Sequence, residues 1–346
     1  MRISDTAAER MNMRTLALGA FAAVAVLCAP VAPPVEAQTP VDRTVSTPPT
    51  GSVAINNVAG EIRVVGWDRP DVRVTGTLGE GTERLDIETS GDQVEVAVVI
   101  PRGARNVRPS RIEVRVPARK GIQALGVSAS VDVRGVTGDV EVRSTSGAVV
   151  VRGNPASVEA TSTSGDVDVE VSTGAVEANS TSGRVRVAGS IRESVTAESV
   201  SGSVEIEAQT QEVVAQSVSG HVRISAPVRR LSASTVSGNV EVRGGTLQYG
   251  AFESVSGSVM VAGNLERDAA INVQSHSGDV TLQLPASVGA RFEVSTFSGD
   301  IENSFGQAPQ RTSRYTPGQE LRFTSGDGNA LITIKTFSGQ VSLQRR

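Results

Sequence analysis

Residues 195–224 read VTAESVSGSVEIEAQTQEVVAQSVSGHVRI, in which one phrase occurs twice. Counted from Gly202 and Gly220, small apolar residues stand seven and five positions earlier (Val195 and Ala197, Val213 and Ala215). β-branched residues stand two and four positions later (Val204 and Ile206, Val222 and Ile224). Serine occupies the positions three and one before each glycine. The odd offsets before the glycine and the even ones after it share a face, and Glu198, Glu205, Gln216 and Arg223 take the other. That is the period of two expected of half-buried strands. The face reverses at the glycine, where a residue without Cβ makes a corner or bulge at little steric cost. The serines beside it read as hydrogen-bonding partners of nearby backbone or of the serine one coil away, and not as nucleophiles.

The phrase recurs with its glycine at 147, 165, 183, 202, 220, 238, 257, 278, 299 and 339, and the first nine are 18 to 21 residues apart. Fixed spacing of this length predicts stacked structural units. A degenerate copy, Ile122, Ala124, Gly126, Ser128, Ala129, Val131 and Val133, lies 18 residues before Gly147. Another opens the regular sequence with Val53, Ile55, Asn57 and Ala59 before Gly60, and Ile62 and Val64 after it. The predicted fold is all-β: a single-stranded parallel β-solenoid with ~18-residue coils, about 4.8 Å apart and right-handed by the crossover rule, with a less regular N-terminal strand-rich cap. A propeller would need about 40 residues per blade and aromatic signatures.

The outward column three positions after the glycine tests the stacking, because its charge alternates: Asp168, Arg186, Glu205, Arg223, Glu241. In-register coils make these opposite-charge neighbours, whereas a calcium site would gather carboxylates together. Composition agrees with a thin shaft: 346 residues with 35 glycines, 3% aromatics and a net charge of −4. Mild acidity without a basic run argues against nucleic acid or an anionic membrane as partner.

Residues 1–37 are a signal peptide, with an apolar run 15–35 after Arg14 ending in Val35-Glu36-Ala37. Met11 and Met13 are alternative starts, and a retained anchor is the competing reading, although the run before Pro30 is short for a span. Cys28 is the only cysteine and falls in this leader, so the cleaved chain has no thiol; Leu27 disfavours acylation of Cys28. No other segment is suited to span a membrane as a helix. Residues 38–50 are a mobile Pro/Thr-rich linker and 51–120 an N-terminal strand-rich capping part, with strands near 72–78, 84–89, 93–100 and 111–116. Regular coils fill 121–302, an irregular loop or insertion containing Tyr315 covers 303–330, and 331–346 form the terminal coil.

Segments GEIRVVGWDRPDVRVTG (60–76), LPASVGARFEVSTFSGDIENSF (284–305) and ITIKTFSGQVSL (332–343), together with coils written SVSGSVEI, resemble the bacterial domains of unknown function labelled "putative adhesins", whose repeats commonly read SGDV. The resemblance spans roughly residues 51–346 and implies an exported β-solenoid with no established catalytic residues. Arg184, Ser203, His221, Asn239 and Gln340 replace the usual Asp after the glycine, so no role is assigned to an Asp column.

No catalytic, cofactor or metal residues are expected. His221 and His276 lie 55 residues apart at different outward offsets, which does not suit a metal or triad site. Asp166, Asp168 and Glu170 share one strand, as do Asp300 and Glu302, whereas glycosidase carboxylates face each other across a sugar. One column stands out. Two positions before the glycine run Thr145, Thr163 and Thr181, then Val200, Val218, Val236, Val255, His276, Phe297 and Phe337. The last seven form a candidate binding ridge, unless the corner or the C-terminal loop covers them. The sequence thus points to an exported, non-enzymatic binding or structural protein of the periplasm, cell surface or extracellular space. Its expected partner is an envelope or extracellular polymer or protein, or a second copy of itself. The alternatives are a polysaccharide-acting β-helix enzyme and a polymer-forming envelope scaffold.

Overall fold

The computed structural model describes residues 39–104, 107–313 and 317–346. The signal peptide, Cys28 and Tyr315 discussed above lie outside the described residues. All regular structure described is β-strand, and consecutive repeats pair in parallel. Val185, Val204, Val222, Val240, Val259, Val280 and Val341 are successive partners in one row. Ala197, Ala215, Ala233, Phe252, Val273 and Ile334 form another. Both rows are buried, which is how a shaft with few aromatics fills its interior. Where Phe252 enters, its own coil carries Gly250 two residues earlier, and a methyl there would run into the Phe252 ring. The β-solenoid read from the sequence is the fold observed.

The corner explains the SxSG phrase. The Ser217 hydroxyl donates to the carbonyl of Gly202 one coil back (3.1 Å) and accepts from the N–H of Gly220 in its own coil (2.8 Å). Ser162, Ser180 and Ser199 repeat both bonds, so the ladder runs between hydroxyls and glycine backbone, not between hydroxyls. The serines one position before the glycine, such as Ser219, are exposed. The face therefore reverses before the glycine, at the two residues preceding it, and not at the glycine as the alternation alone suggests. Glycine is needed for close approach: a Cβ on Gly220 would collide with the Gly202 carbonyl. Backbone conformation also demands it in the opening coil, at Gly60 with φ +116°, and in the later coils, as at Gly339 with φ +132°. There the ladder ends, and the hydroxyls of Thr296 and Thr336 are buried without a partner.

The order of coils in space differs from their order in the chain at both ends. Ser52–Trp67 carries Gly121–Arg134 on one edge and Gln93–Val99 with Ser110–Pro117 on the other. The coil that opens the chain's regular sequence is therefore second in the stack. At the other end, Ala330–Ser338 and Val341–Arg345 insert between the coil of Gly278 and that of Gly299: Val273 and Val294 both pair with Ile334, and Val280 and Ile301 both with Val341. The last coil in sequence is thus not terminal in space, because the outermost place goes to Ala290–Ser298, which also pairs antiparallel with Gln319–Ser325. That strand lies inside the stretch 303–330 expected to be irregular. Phe323 anchors it by stacking on Phe292 at 4.4 Å.

The N-terminal end is closed in the same manner. Arg84–Ser90 and Asp71–Leu78 run antiparallel to the outermost coil, and Thr39–Ser46 adds to Asp71–Leu78. Residues 38–50 were expected to be a mobile linker. The structure corrects this, since Val41 and Val45 turn inward along the strand and Asp42 accepts two bonds from Arg73 (3.0 and 2.7 Å). Antiparallel closure stops parallel stacking from continuing into another molecule. Lys120, missed by the sequence reading, is fully buried under this cap. Its ammonium donates to the carbonyls of Thr50 (2.7 Å) and Asp92 (2.6 Å). Burial lowers its pKa, against the opposing charge of Asp92.

Candidate functional site

The face of interest follows from strand geometry at the corner. The residue three before each glycine is buried by the ladder, so its two neighbours project outward as parallel columns whose Cα atoms stand at most about 7 Å apart. One column is the ridge. Val200, Val218, Val236, Val255, Phe297 and Phe337 are 45–55% exposed, and His276 is exposed as well. Neither the corner nor the C-terminal segment covers them. Val58 (43%) and Val127 (50%) extend the column toward the N-terminal end. They escaped the sequence reading because their coils are the degenerate ones, although their offsets from Gly60 and Ala129 give them away. Coil insertion places Phe337 between His276 and Phe297, with ring centroids 4.9 and 4.8 Å apart and planes within 8°. These rings spend their faces on each other and turn their edges outward.

The second column, four before the glycine, is polar: Asn179, Glu198, Gln216, Ser234, Glu253, Gln274 and Lys335. Between the two columns runs a groove of about 900 Å³, floored by the buried serines and threonines. Among the described residues, Glu198, Gln216, Glu253, Gln274 and Lys335 have no hydrogen-bond or ion-pair partner within the chain.

The charges of the alternating column and of the acidic strip beside it are paired. Arg186 lies 3.5 Å from Asp168, and Arg223 lies 3.6 and 3.3 Å from Glu205 and Glu241, so the alternating column pairs across coils as expected. Burial pushes the Glu241 pKa up, but Arg223 and Arg243 outweigh it and hold the carboxyl below its ordinary value. The acidic strip is likewise engaged: Arg184 meets Asp166 at 3.8 Å, and Arg152 meets Asp168 at 3.2 Å and Glu170 at 3.4 Å. Asp300 accepts from Gln319. His221 accepts the N–H of Asn239 through Nδ1 at 3.1 Å, far from His276 along the stack. Asp166, Asn239 and Asp279 also accept the N–H of the matching residue one coil on, which gives the position after the glycine a backbone-capping role that Asp, Asn and His can all fill. Among the described residues no group of three or more His, Cys, Asp or Glu is placed to hold a metal ion, and no helix is long and apolar enough to cross a membrane.

Comparison with known proteins gives one family and several distant structures. The family model described as Toastrack DUF4097 matches residues 51–243 and 228–344. A "putative adhesin" from Parabacteroides distasonis is 14% identical, covering 88% of this chain and 97% of its own, with a TM-score of 0.44. A "putative adhesin" from Bacteroides fragilis is 11% identical, with coverages of 89% and 98% and a TM-score of 0.35. A "putative cell adhesion protein" from Clostridium sporogenes is 9% identical, with coverages of 89% and 100% and a TM-score of 0.23. No curated protein matches the chain.

Proposed function

The chain belongs to the Toastrack DUF4097 family, and from that premise we propose that it is an exported, non-enzymatic binding module of the bacterial envelope or surface, adhesin-like in role, whose contact face is the ridge and groove. The observation that carries this reading is the pairing of an exposed apolar column with a polar column five of whose side chains, Glu198, Gln216, Glu253, Gln274 and Lys335, are unpartnered. Soluble monomers rarely leave a continuous apolar stripe open unless something docks on it. A rigid in-register stack also holds such a face ready without ordering cost at the moment of binding. The carboxylates of the strip Asp166, Asp168 and Glu170 are tied to arginines one coil away, which supports binding in preference to turnover. Val218→Lys with Val236→Lys places two charges in the middle of the face. Retention of purified protein on isolated envelope or extracellular polymer is expected to fall at least tenfold, with an unchanged far-UV circular dichroism spectrum. Undiminished retention by the folded double variant would remove the reading.

A further inference from the structure

The groove's chemistry identifies an occupant. The Cα atoms of its two walls stand at most about 7 Å apart, too close for a helix of about 10 Å diameter. An extended peptide fits the width but gains little, because the strands beneath already spend their backbone groups on the coils above and below, leaving no edge to augment. Its rise of about 3.3 Å per residue also falls out of step with side chains that repeat every 4.8 Å or so. Charge argues in the same direction. The groove is lined by no arginine, and its charged groups, Glu198, Glu253 and Lys335, sit on separate coils, so it complements a ligand of little net charge and offers a polyanion no binding row. What it presents instead is one apolar wall of valine methyls and ring edges, and one wall of unpartnered hydrogen-bonding groups, Glu198, Gln216, Glu253, Gln274 and Lys335.

We propose that the groove binds an uncharged, unbranched polysaccharide laid along the shaft, one pyranose ring to each coil. This deepens the reading of the ridge and groove as the contact face and rests on it. A 1,4-linked pyranose advances by nearly one ring length per residue, close to the coil rise. Each ring has a C–H face for the valine wall and hydroxyls for the amide and carboxylate wall. From Thr181 to Phe337 the groove crosses seven coils, about 30 Å at the usual strand spacing, so affinity is expected to grow with chain length up to about seven sugars and then level off.

The test uses the full-length chain and β-1,4-linked oligomers of glucose, N-acetylglucosamine, xylose and mannose, two to ten units long, with polygalacturonate as the anionic control, in titration calorimetry. At least one neutral series is expected to bind with this length dependence. Gln216→Ala with Gln274→Ala is expected to weaken it tenfold or more, as is Val236→Lys, with thermal melting unchanged. Polygalacturonate binding as tightly as the neutral series, an affinity independent of length, or no neutral series binding at millimolar concentration would overturn the proposal. If envelope retention is lost in Val218→Lys/Val236→Lys while every neutral series fails, the contact face stands and only its polysaccharide occupant falls.

Discussion

Replacing Ser217 by alanine tests whether the serine ladder holds the coils. The side chain is 5% exposed, and its hydroxyl both donates to the Gly202 carbonyl and accepts from the Gly220 N–H. Alanine removes both bonds with almost no loss of volume, leaving one donor and one acceptor in a closed corner. At about 1–1.5 kcal/mol for each group left unmatched, the cost is about 2–3 kcal/mol. Threonine is the control, because Thr235 occupies the same slot one coil on and donates to the Gly220 carbonyl at 3.2 Å; Ser217→Thr is expected to stay within about 0.5 kcal/mol. Urea unfolding followed by circular dichroism reads the difference as a shift in midpoint. Because a repeat stack can open locally, hydrogen exchange at Gly220 gives the same comparison at the site itself. An alanine variant as stable as the threonine one, with Gly220 equally protected, would refute the ladder as a source of stability.

Further expectations follow from the same structure. Gly220→Ala drives a methyl into the Gly202 carbonyl and is expected to cost about 1–3 kcal/mol or more in urea unfolding. Gly121→Ala, where a Cβ meets nothing closer than 3.7 Å, should be neutral or stabilise by up to about 1 kcal/mol. Arg73 holds the Asp42 carboxyl below its ordinary value of 3.8, so this pair supports strand Thr39–Ser46 above that pH and loses its effect as pH falls through the lowered value. The protection factors across residues 39–46, exchange rates taken relative to the intrinsic rate at each pH, should therefore fall on acidification, and Arg73→Ala should abolish the difference. Because burial lowers the Lys120 pKa, the folded chain binds fewer protons than the unfolded one between that lowered value and 10.5. Stability gains a component that rises with pH across that window, and Lys120→Met, read by urea midpoints at a series of pH values, should remove it.

What the sequence disclosed was whatever repeats within a coil. The inward rows, the corner and the alternating charges at Asp168, Arg186, Glu205, Arg223 and Glu241 all follow from an offset counted from one glycine. The order of coils does not, since units with the same grammar are interchangeable neighbours. Residues 296–299 and 336–339 both read TFSG, and nothing in either says which will lie against Gly278. That choice is settled by Phe292, Phe305 and Phe323, which pack together at the end of the stack. Thr39–Ser46 was hidden by Pro40 and its threonines, whose polarity suits an outer edge strand as well as a linker. The ridge was legible as a column. The groove needed the second column as well, and its unspent amides stand out against the ion pairs of the alternating column at Asp168, Arg186, Arg223 and Glu241.

The contact face is continuous only if coils stack in register with the last one inserted, and a disulfide can report that arrangement directly. In a Cys28→Ser background, Gln274→Cys with Lys335→Cys places thiols on adjacent strands, about 4.8 Å apart along the stack and within bridging range. Gln274→Cys with Ser295→Cys places them two coils apart, since both residues flank Lys335, which is too far to close. Oxidation monitored by mass spectrometry should therefore link 274 to 335 readily and leave 274 and 295 free. Efficient closure of 274 to 295 with none between 274 and 335 would contradict the stack, and with it the face built upon it.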